Sequence, residues 1–439
     1  MSGSETAVVG FGIMLFLMVL RIPVALAMLL VGAGGYAYLA GAMPLLNLIK
    51  TTPYYLFGNY TLSVIPLFIL MGAFAERAGM SDALFKAANA FVGHRRGGIA
   101  MATIAACTVF GAICGSSVAT TATMARAALP AFRRYNYSDT LATGTVAVGG
   151  TLGILIPPSV ILVVYAIATE QNIAKLFMAA LVPGLLAGLF YLGAIRWTVL
   201  RRHDAGPAAP RIGWGDRLWA LAAVWPIMFV AVLVVGGIYG GVFTPTEGAA
   251  VGAAATLVVG LLQRRIGWGE IRQALVQTAE ISAMIFLILL GAEFFNSFLG
   301  LSQLPTAAAG WITDIGLPPL GVLAALLAFY ILLGAVMDEL AMILLTLPVF
   351  FPIVSALDFG LTGDETGIWF GILVLVVVGI GLTAPPVGLN VFVVSAIARD
   401  VPITRIYRGA LPFIATDLVR LALLVAFPAI SLTLVRLLT

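Results

Sequence analysis

Apolar runs of membrane-spanning length follow one another along this chain, separated by short loops in which the charges collect. A span needs about 20 apolar residues, and the pattern predicts about ten to twelve spanning helices plus two shorter hairpins. The first run, Ala7 to Leu20, is followed by Arg21 and a second apolar run. With no small-residue cleavage site ahead of a soluble segment, it reads as a first transmembrane helix and not a removed signal peptide. Two apolar runs carry their own interruption: "GTLGILIPPSVILVV" (150–164) and "GIGLTAPPVGLNVFV" (379–393). Adjacent prolines remove backbone donors, and the glycines beside them weaken a helix further, so each run should form a broken helix. Unpaired backbone is tolerated at membrane depth only where it lines a cavity or is buried in protein.

The two interruptions belong to a longer repeat. Residues 111–163 contain "GAICGSSVATTATMARAALPAF" before the first Pro-Pro run, and 333–391 contain "GAVMDELAMILLTLPVFFPIV" before the second. Met71-Gly72-Ala73 matches Leu290-Gly291-Ala292 (291 − 72 = 219), and Pro130 matches Pro348 (348 − 130 = 218). Pro157-Pro158 matches Pro385-Pro386 (385 − 157 = 228), and Pro183 matches Pro412 (412 − 183 = 229). One insertion explains the jump: the second copy has "LDFGLTGDET" (357–366) where the first has "RRYNYS" (133–138). Matching loops then differ in charge. Arg133 and Arg134 stand where the second copy has Asp358, Asp364 and Glu365, and "TEQNIAK" stands where the second copy has Arg399, Arg405 and Arg408. Positive loops favour the cytoplasm, so matching loops are expected on opposite faces and the copies are expected to be inverted, as in secondary transporters.

Composition narrows the class. The chain has 439 residues, 62% hydrophobic and 10% charged, against about 25% charged in soluble domains; this is a polytopic membrane protein. Of its 23 basic residues 20 are arginine, clustered in loops, which orients a membrane protein and gives no reason to expect nucleic-acid binding. Cys107 and Cys114 lie seven apart in one apolar run, about 10.5 Å along a helix, too far for a disulfide. His94 and His203 sit in basic loops with no metal or nucleophile constellation, and the chain offers no catalytic cluster: it is not expected to be an enzyme. The stretch 200–217, "LRRHDAGPAAPRIGWGDR" from Leu200, reads as a basic, flexible cytoplasmic tether between halves, and 263–277 as a surface-lying amphipathic helix or a solvated loop. Glu247, after Pro245, reads as a helix-start residue, while Glu293 stands near an apolar run without an assigned role.

Between "HRRGG" (94–98) and Arg133 lie too few apolar residues for two crossings and a turn, and both flanks are basic, so a re-entrant hairpin over about 97–133 is expected. Its midpoint falls at "CGSSVAT". The matching hairpin, about 317–357, has its midpoint at "VMDEL", which places Asp338 and Glu339 within the bilayer. A carboxylate there costs at least ~3 kcal/mol and is a functional candidate. Each copy thus supplies a hairpin tip and a broken helix. Exposed carbonyls suit a small hard cation, and half-helix N-termini suit an anion.

"GSSVATTATM…LGILIPPS" and "MDELAMILLTLPVFFPIV…GIGLTAPPVGLNVFV" resemble the large membrane subunit of the tripartite ATP-independent periplasmic (TRAP) transporters, within the wider ion transporter superfamily. The resemblance implies an elevator-type carrier, driven by a sodium gradient, with Na⁺ as coupling ion and no organic cofactor. It implies a small four-helix membrane subunit, a soluble periplasmic substrate-binding protein, an organic-acid substrate and a multi-pass location in the bacterial inner membrane. Ser116, Ser117, Gly153 and Pro157 would help form a first sodium site; Gly334, Asp338, Thr383 and Pro385 a second. Ser159, Asn390 and Arg126 are candidates to face the substrate. The expected layout is N-terminal scaffold helices over 1–70, a first repeat over 71–199 with its broken helix at about 138–170, the linker 200–217, scaffold helices and an amphipathic arm over 218–289, and a second repeat over 290–439 with its broken helix at about 366–398. A stand-alone sodium-coupled anion symporter is the alternative, and the sequence does not name the substrate.

Overall fold

The computed structural model describes residues 2–314 and 316–438, and among these the chain is helical with no strand. Helices alone satisfy backbone groups segment by segment in lipid, and the large apolar side chains left on the outside, such as Leu189, Trp197 and Val232, face where hydrocarbon would lie. Among the described residues six helices are long and apolar enough to cross a membrane, or up to eight if each of two bent pairs is one span. The sequence pattern alone predicts about ten to twelve. The difference lies in helices such as Gly3–Val19 and Val24–Ala40, which stop at 17 residues because Arg21-Ile22-Pro23 interrupts them.

One group of helices packs around the 35-residue helix Trp268–Ser302. Val24–Ala40 lies along it, backbone close to backbone at two points: a methyl group on Gly32 would stand 2.5 Å from the Phe295 nitrogen, and one on Gly291 2.3 Å from the Ala25 carbonyl. Small residues that let backbones approach are the usual glue between membrane helices. Val64–Arg77, Trp225–Tyr239 and Pro245–Leu262 complete this group. Thr244 and Glu247 form a capping box at the start of the last of these, the structural role expected of Glu247.

The second group contains two helix–turn–helix units and two interrupted helices. The first unit runs Gly98–Cys114, turns at Gly115-Ser116 and returns as Ser117–Arg134. Its arms, at about 1.5 Å per residue, are about 25 Å long, less than a bilayer core. The second runs Pro319–Gly334 and returns as Glu339–Ser355. Helix Ile173–Arg201 and helix Ile403–Ala426 flank them. Cys107 and Cys114 are both buried and free.

Two readings of the loops change. The segment 200–217 is not a loose tether in its central part: Gly97 N donates to Gly206 O (2.8 Å), Ala209 N to Gly93 O (2.9 Å) and Ser138 N to Ala205 O (3.0 Å), binding it to both turns that flank the first hairpin. The stretch 263–277 is not a separate surface helix. Its first residues are a turn, and from Trp268 it is the beginning of the long helix. Arg265 reaches back to donate to the carbonyl of Ala78 (3.1 Å), capping the end of helix Val64–Arg77.

Candidate functional site

The first interrupted helix runs Asp139–Gly149, makes one turn at Leu152–Leu155, opens at Ile156–Ser159 and resumes as Val160–Ala168, with a 45° bend. Pro157 and Pro158 supply no N–H, and Ser159 closes the opening as N-cap of the second half, its hydroxyl accepting from Leu162 N. The hairpin tip docks into this opening. Gly115, at φ +63°, permits a turn that a side chain would resist, and its carbonyl accepts from Val160 N. Gly111 packs on Gly153, where an added methyl would stand 2.9 Å from the Gly153 Cα. A methyl on Gly153 would in turn meet Thr120 Oγ1 at 2.6 Å and Ser116 O at 2.7 Å. The structure therefore brings Ser116, Ser117 and Gly153 together, with Pro157 in the adjoining opening. Thr120 and Thr121 are buried there too, beside Gly153 and Gly150, and their hydroxyls have no hydrogen-bond partner among the described residues. Carbonyl and hydroxyl oxygens brought together in this way are the donor type that a hard cation takes.

The second copy repeats the construction with different side chains. Helix Gly363–Gly381 opens at Leu382–Gly388 and resumes as Leu389–Ile397. Gly334 packs backbone to backbone on Gly381, where a methyl on Gly381 would stand 2.6 Å from the Gly334 carbonyl carbon. The tip carbonyl of Ala335 accepts from Val387 N at 3.0 Å, the counterpart of the bond from Val160 to Gly115. Asp338 is the N-cap of the returning arm, one carboxylate oxygen accepting from Leu340 N (3.1 Å) and Ala341 N (3.0 Å). Thr383, fully buried, donates to the carbonyls of Ile380 and Gly379, and the Pro385-Pro386 bond is cis, as is Pro157-Pro158 in the first copy. Glu339 begins the returning arm, and its Oε2 is buried without a partner.

The copies interlock. The resumed half-helix of each interrupted helix packs on the returning arm of the other copy's hairpin: Val160–Ala168 on Glu339–Ser355, and Leu389–Ile397 on Ser117–Arg134. At that crossing Asn390 Nδ2 donates to Ser117 Oγ (2.7 Å) and to Ala147 O (3.1 Å), tying the first tip to the second opening. Asn390 and Ser159 are both fully buried. Arg126 stands apart. It lies nine residues beyond Ser117 on the same arm, about 13.5 Å along the axis, is 65% exposed, and pairs with Glu76 at 3.6 Å.

A buried polar chain reaches the first opening from behind. Thr151 Oγ1 lies 3.0 Å from the Tyr191 hydroxyl, which donates to Asp417 (2.7 Å), itself ion-paired with Arg420 at 2.8 Å, and both charged side chains are essentially inaccessible. The sequence reading passed over Thr120, Thr121, Gly111, Gly381, Tyr191 and the Asp417–Arg420 pair. For Gly381 a signal was present: it lies at the Pro-Pro offset from Gly153 (381 − 153 = 228). For Asp417 and Arg420, their i, i+3 spacing inside an apolar run was the signal.

Residues 11–430 match the family described as "Tripartite ATP-independent periplasmic transporter, DctM component". Over 378 residues the chain is 40% identical to a C4-dicarboxylate TRAP transporter large permease protein of Pseudomonas aeruginosa, covering 86% of each. It is 33% identical over 380 residues to an ectoine TRAP transporter large permease protein of Halomonas elongata, covering 85% of each. An isethionate TRAP transporter permease protein of Oleidesulfovibrio alaskensis is 32% identical over 428 residues, 96% of this chain and 65% of that protein. In architecture the chain resembles the Alcanivorax borkumensis YdaH transporter, with TM-score 0.62 at 16% identity over 90% of each chain. The interrupted helices and their docked tips are thus those of a membrane transporter and not of an enzyme, and the chain belongs to the DctM family of TRAP transporter large permease subunits.

Proposed function

We propose that this chain is the transmembrane carrier of a sodium-driven uptake system for an organic acid. In this reading it sits in the bacterial inner membrane with a small membrane subunit, and a periplasmic binding protein delivers the substrate. The observation that carries the proposal is the doubled construction of tip and opening, joined by Asn390 and Ser117. Two sodium ions would be held by Ser116, Ser117, Gly153 and Pro157 with Thr120, and by Gly334, Asp338, Thr383 and Pro385. Their positive charge, with the N-termini of two nine-residue half-helices beside them, would hold a carboxylate. Ser159 and Asn390 begin those half-helices and are the side chains proposed to meet it; Arg126, paired with Glu76 on the arm toward the basic flank, is proposed to meet the substrate on its way to the cytoplasmic side.

Ion pairs support an inverted arrangement of the copies. Arg133 pairs with Asp400 and Arg405 with Asp139, so the loop after the first hairpin lies beside the loop after the second interrupted helix. At the other end Lys175 lies 3.8 Å from Asp364. Inverted copies permit alternating access by moving hairpins and interrupted helices as one body against the group built on Trp268–Ser302. The relatives include proteins named for C4-dicarboxylates and for ectoine, so the assignment stops at the class and selectivity is left to the binding protein.

The test is uptake into proteoliposomes holding the carrier, its small subunit and the loaded binding protein. An inward sodium gradient should drive accumulation, and a potassium gradient of the same size should not. Equal uptake under both would refute sodium coupling, and undiminished uptake without the binding protein would point to a stand-alone symporter. Asp338→Ala should abolish sodium-driven uptake with insertion intact.

A further inference from the structure

Beside the first hairpin, on the face where the pinned linker runs, lies a cleft of about 380 Å³ lined by His94, Arg211, Ile212, Gly213, Trp214 and Arg217. Neither these arginines nor the adjacent Arg95 and Arg96 take part in any ion pair among the described residues. The Arg217 guanidinium is held over the Trp214 ring at 5.1 Å, and its Nε is buried with no partner. His94 Nδ1 is likewise buried. Desolvation, with Arg211, Arg217 and Arg95 around it, lowers the pKa of the His94 imidazole from its ordinary value, against a backbone hydrogen bond at Phe91 that raises it.

The helix that forms one wall, Trp214–Ala222, buries none of its residues. Leu218 and Trp219 are 60% and 79% exposed, and Trp225, at the 44° bend into Trp225–Tyr239, is 62% exposed. A short helix with uncovered leucine and tryptophan side chains, joined at an angle to a membrane-spanning one, lies where headgroups meet hydrocarbon. The cleft therefore offers cationic donors at headgroup depth beside an uncovered apolar flank.

We propose that this cleft binds the headgroup phosphate of an anionic phospholipid, with Arg211 and Arg217 on the phosphate oxygens, His94 hydrogen-bonding beside them, and the acyl chains along Leu218, Trp219 and Trp225. Arg211 and Arg217, which form no ion pair among the described residues although the Asp216 carboxylate lies beside Gly213, match a phosphodiester, and the apolar flank favours a lipid over a free phosphate ion. The ligand would brace the linker against Gly93 and Gly97, because the same segment is bonded to both.

Native mass spectrometry of the purified, detergent-solubilised chain tests this with phosphatidylglycerol and phosphatidylcholine of identical acyl chains, supplied in equal amounts. Wild-type protein should retain phosphatidylglycerol over phosphatidylcholine by roughly tenfold. Arg211→Gln with Arg217→Gln should bring the ratio near unity, while Arg264→Gln with Arg272→Gln, in the other basic stretch, should leave it unchanged. A wild-type ratio near unity, or an unchanged ratio in the Arg211/Arg217 variant, overturns the proposal. Should that variant fail to fold, Arg217→Gln alone should lower the ratio severalfold, and an unchanged ratio there overturns the proposal equally. Millimolar inorganic phosphate should not displace the retained lipid; full displacement would assign the cleft to free phosphate and overturn the lipid reading.

Discussion

Arg420 and Asp417 sit one helical turn apart inside Ile403–Ala426, each about 1% exposed, with Tyr191 donating to the aspartate. Two charges taken out of water gain little net stability from their attraction, but removing one leaves the other uncompensated at a cost of about 3–5 kcal/mol. Arg420→Met should therefore lower thermal stability steeply, by about that amount. Adding Asp417→Asn to Arg420→Met should restore part of the loss, which melting curves of the single and double variants would show. If the double variant is as unstable as the sum of the singles, the pair is not coupled. Whichever way stability moves, Thr151 connects this pair to the first opening, so uptake by the double variant reports whether the chain of bonds positions that opening.

At the scale of elements, close backbone approach decides which helices can be neighbours. Asp139–Gly149 lies against Ile403–Ala426 at Gly144 and Gly409, where a methyl on Gly409 would fall 1.9 Å from the Thr140 carbonyl. No side-chain rotation relieves a clash with backbone, so the helices would have to separate. Gly409→Ala should cost more than the ~1–3 kcal/mol typical of overpacking and yield little monodisperse protein on gel filtration. Gly193→Ala, on a helix with nothing within 4 Å of the new methyl, should behave as wild type. The sequence shows both glycines equally and gives no means of ranking them, because the neighbour belongs to a helix more than 200 residues away.

For the whole molecule, the faces are fixed by which loops meet. Arg134, the last residue of Ser117–Arg134, and Arg408, in the second turn of Ile403–Ala426, lie at the helix ends that the Arg133–Asp400 and Arg405–Asp139 pairs hold together, and Asp364 lies at the opposite set, near Lys175. Single cysteines at Arg134 and Arg408 should react with a membrane-impermeant maleimide from one side of the membrane, and a cysteine at Asp364 from the other. Cys107 and Cys114 are buried and should stay silent. Labelling of the Asp364 position from the same side as the other two would rule out inverted copies.

What the sequence determined by itself was the class and the places of interruption. Apolar runs, loop arginines and paired Pro-Pro segments follow from local physics: a chain in lipid must close its own hydrogen bonds, and proline cannot contribute one. The turns at Gly115 and Asp338 were equally legible, since a small or capping residue at the middle of an apolar stretch marks where a helix stops. Only the tertiary structure decided what those interruptions touch. That Ser117 meets Asn390, that Gly334 meets Gly381, that Arg265 caps a distant helix, and that Arg126 turns outward to Glu76 depend on contacts between segments far apart in the chain. Hydrophobic patterning sets how much of a helix is covered, and it carries no information on which helix covers it.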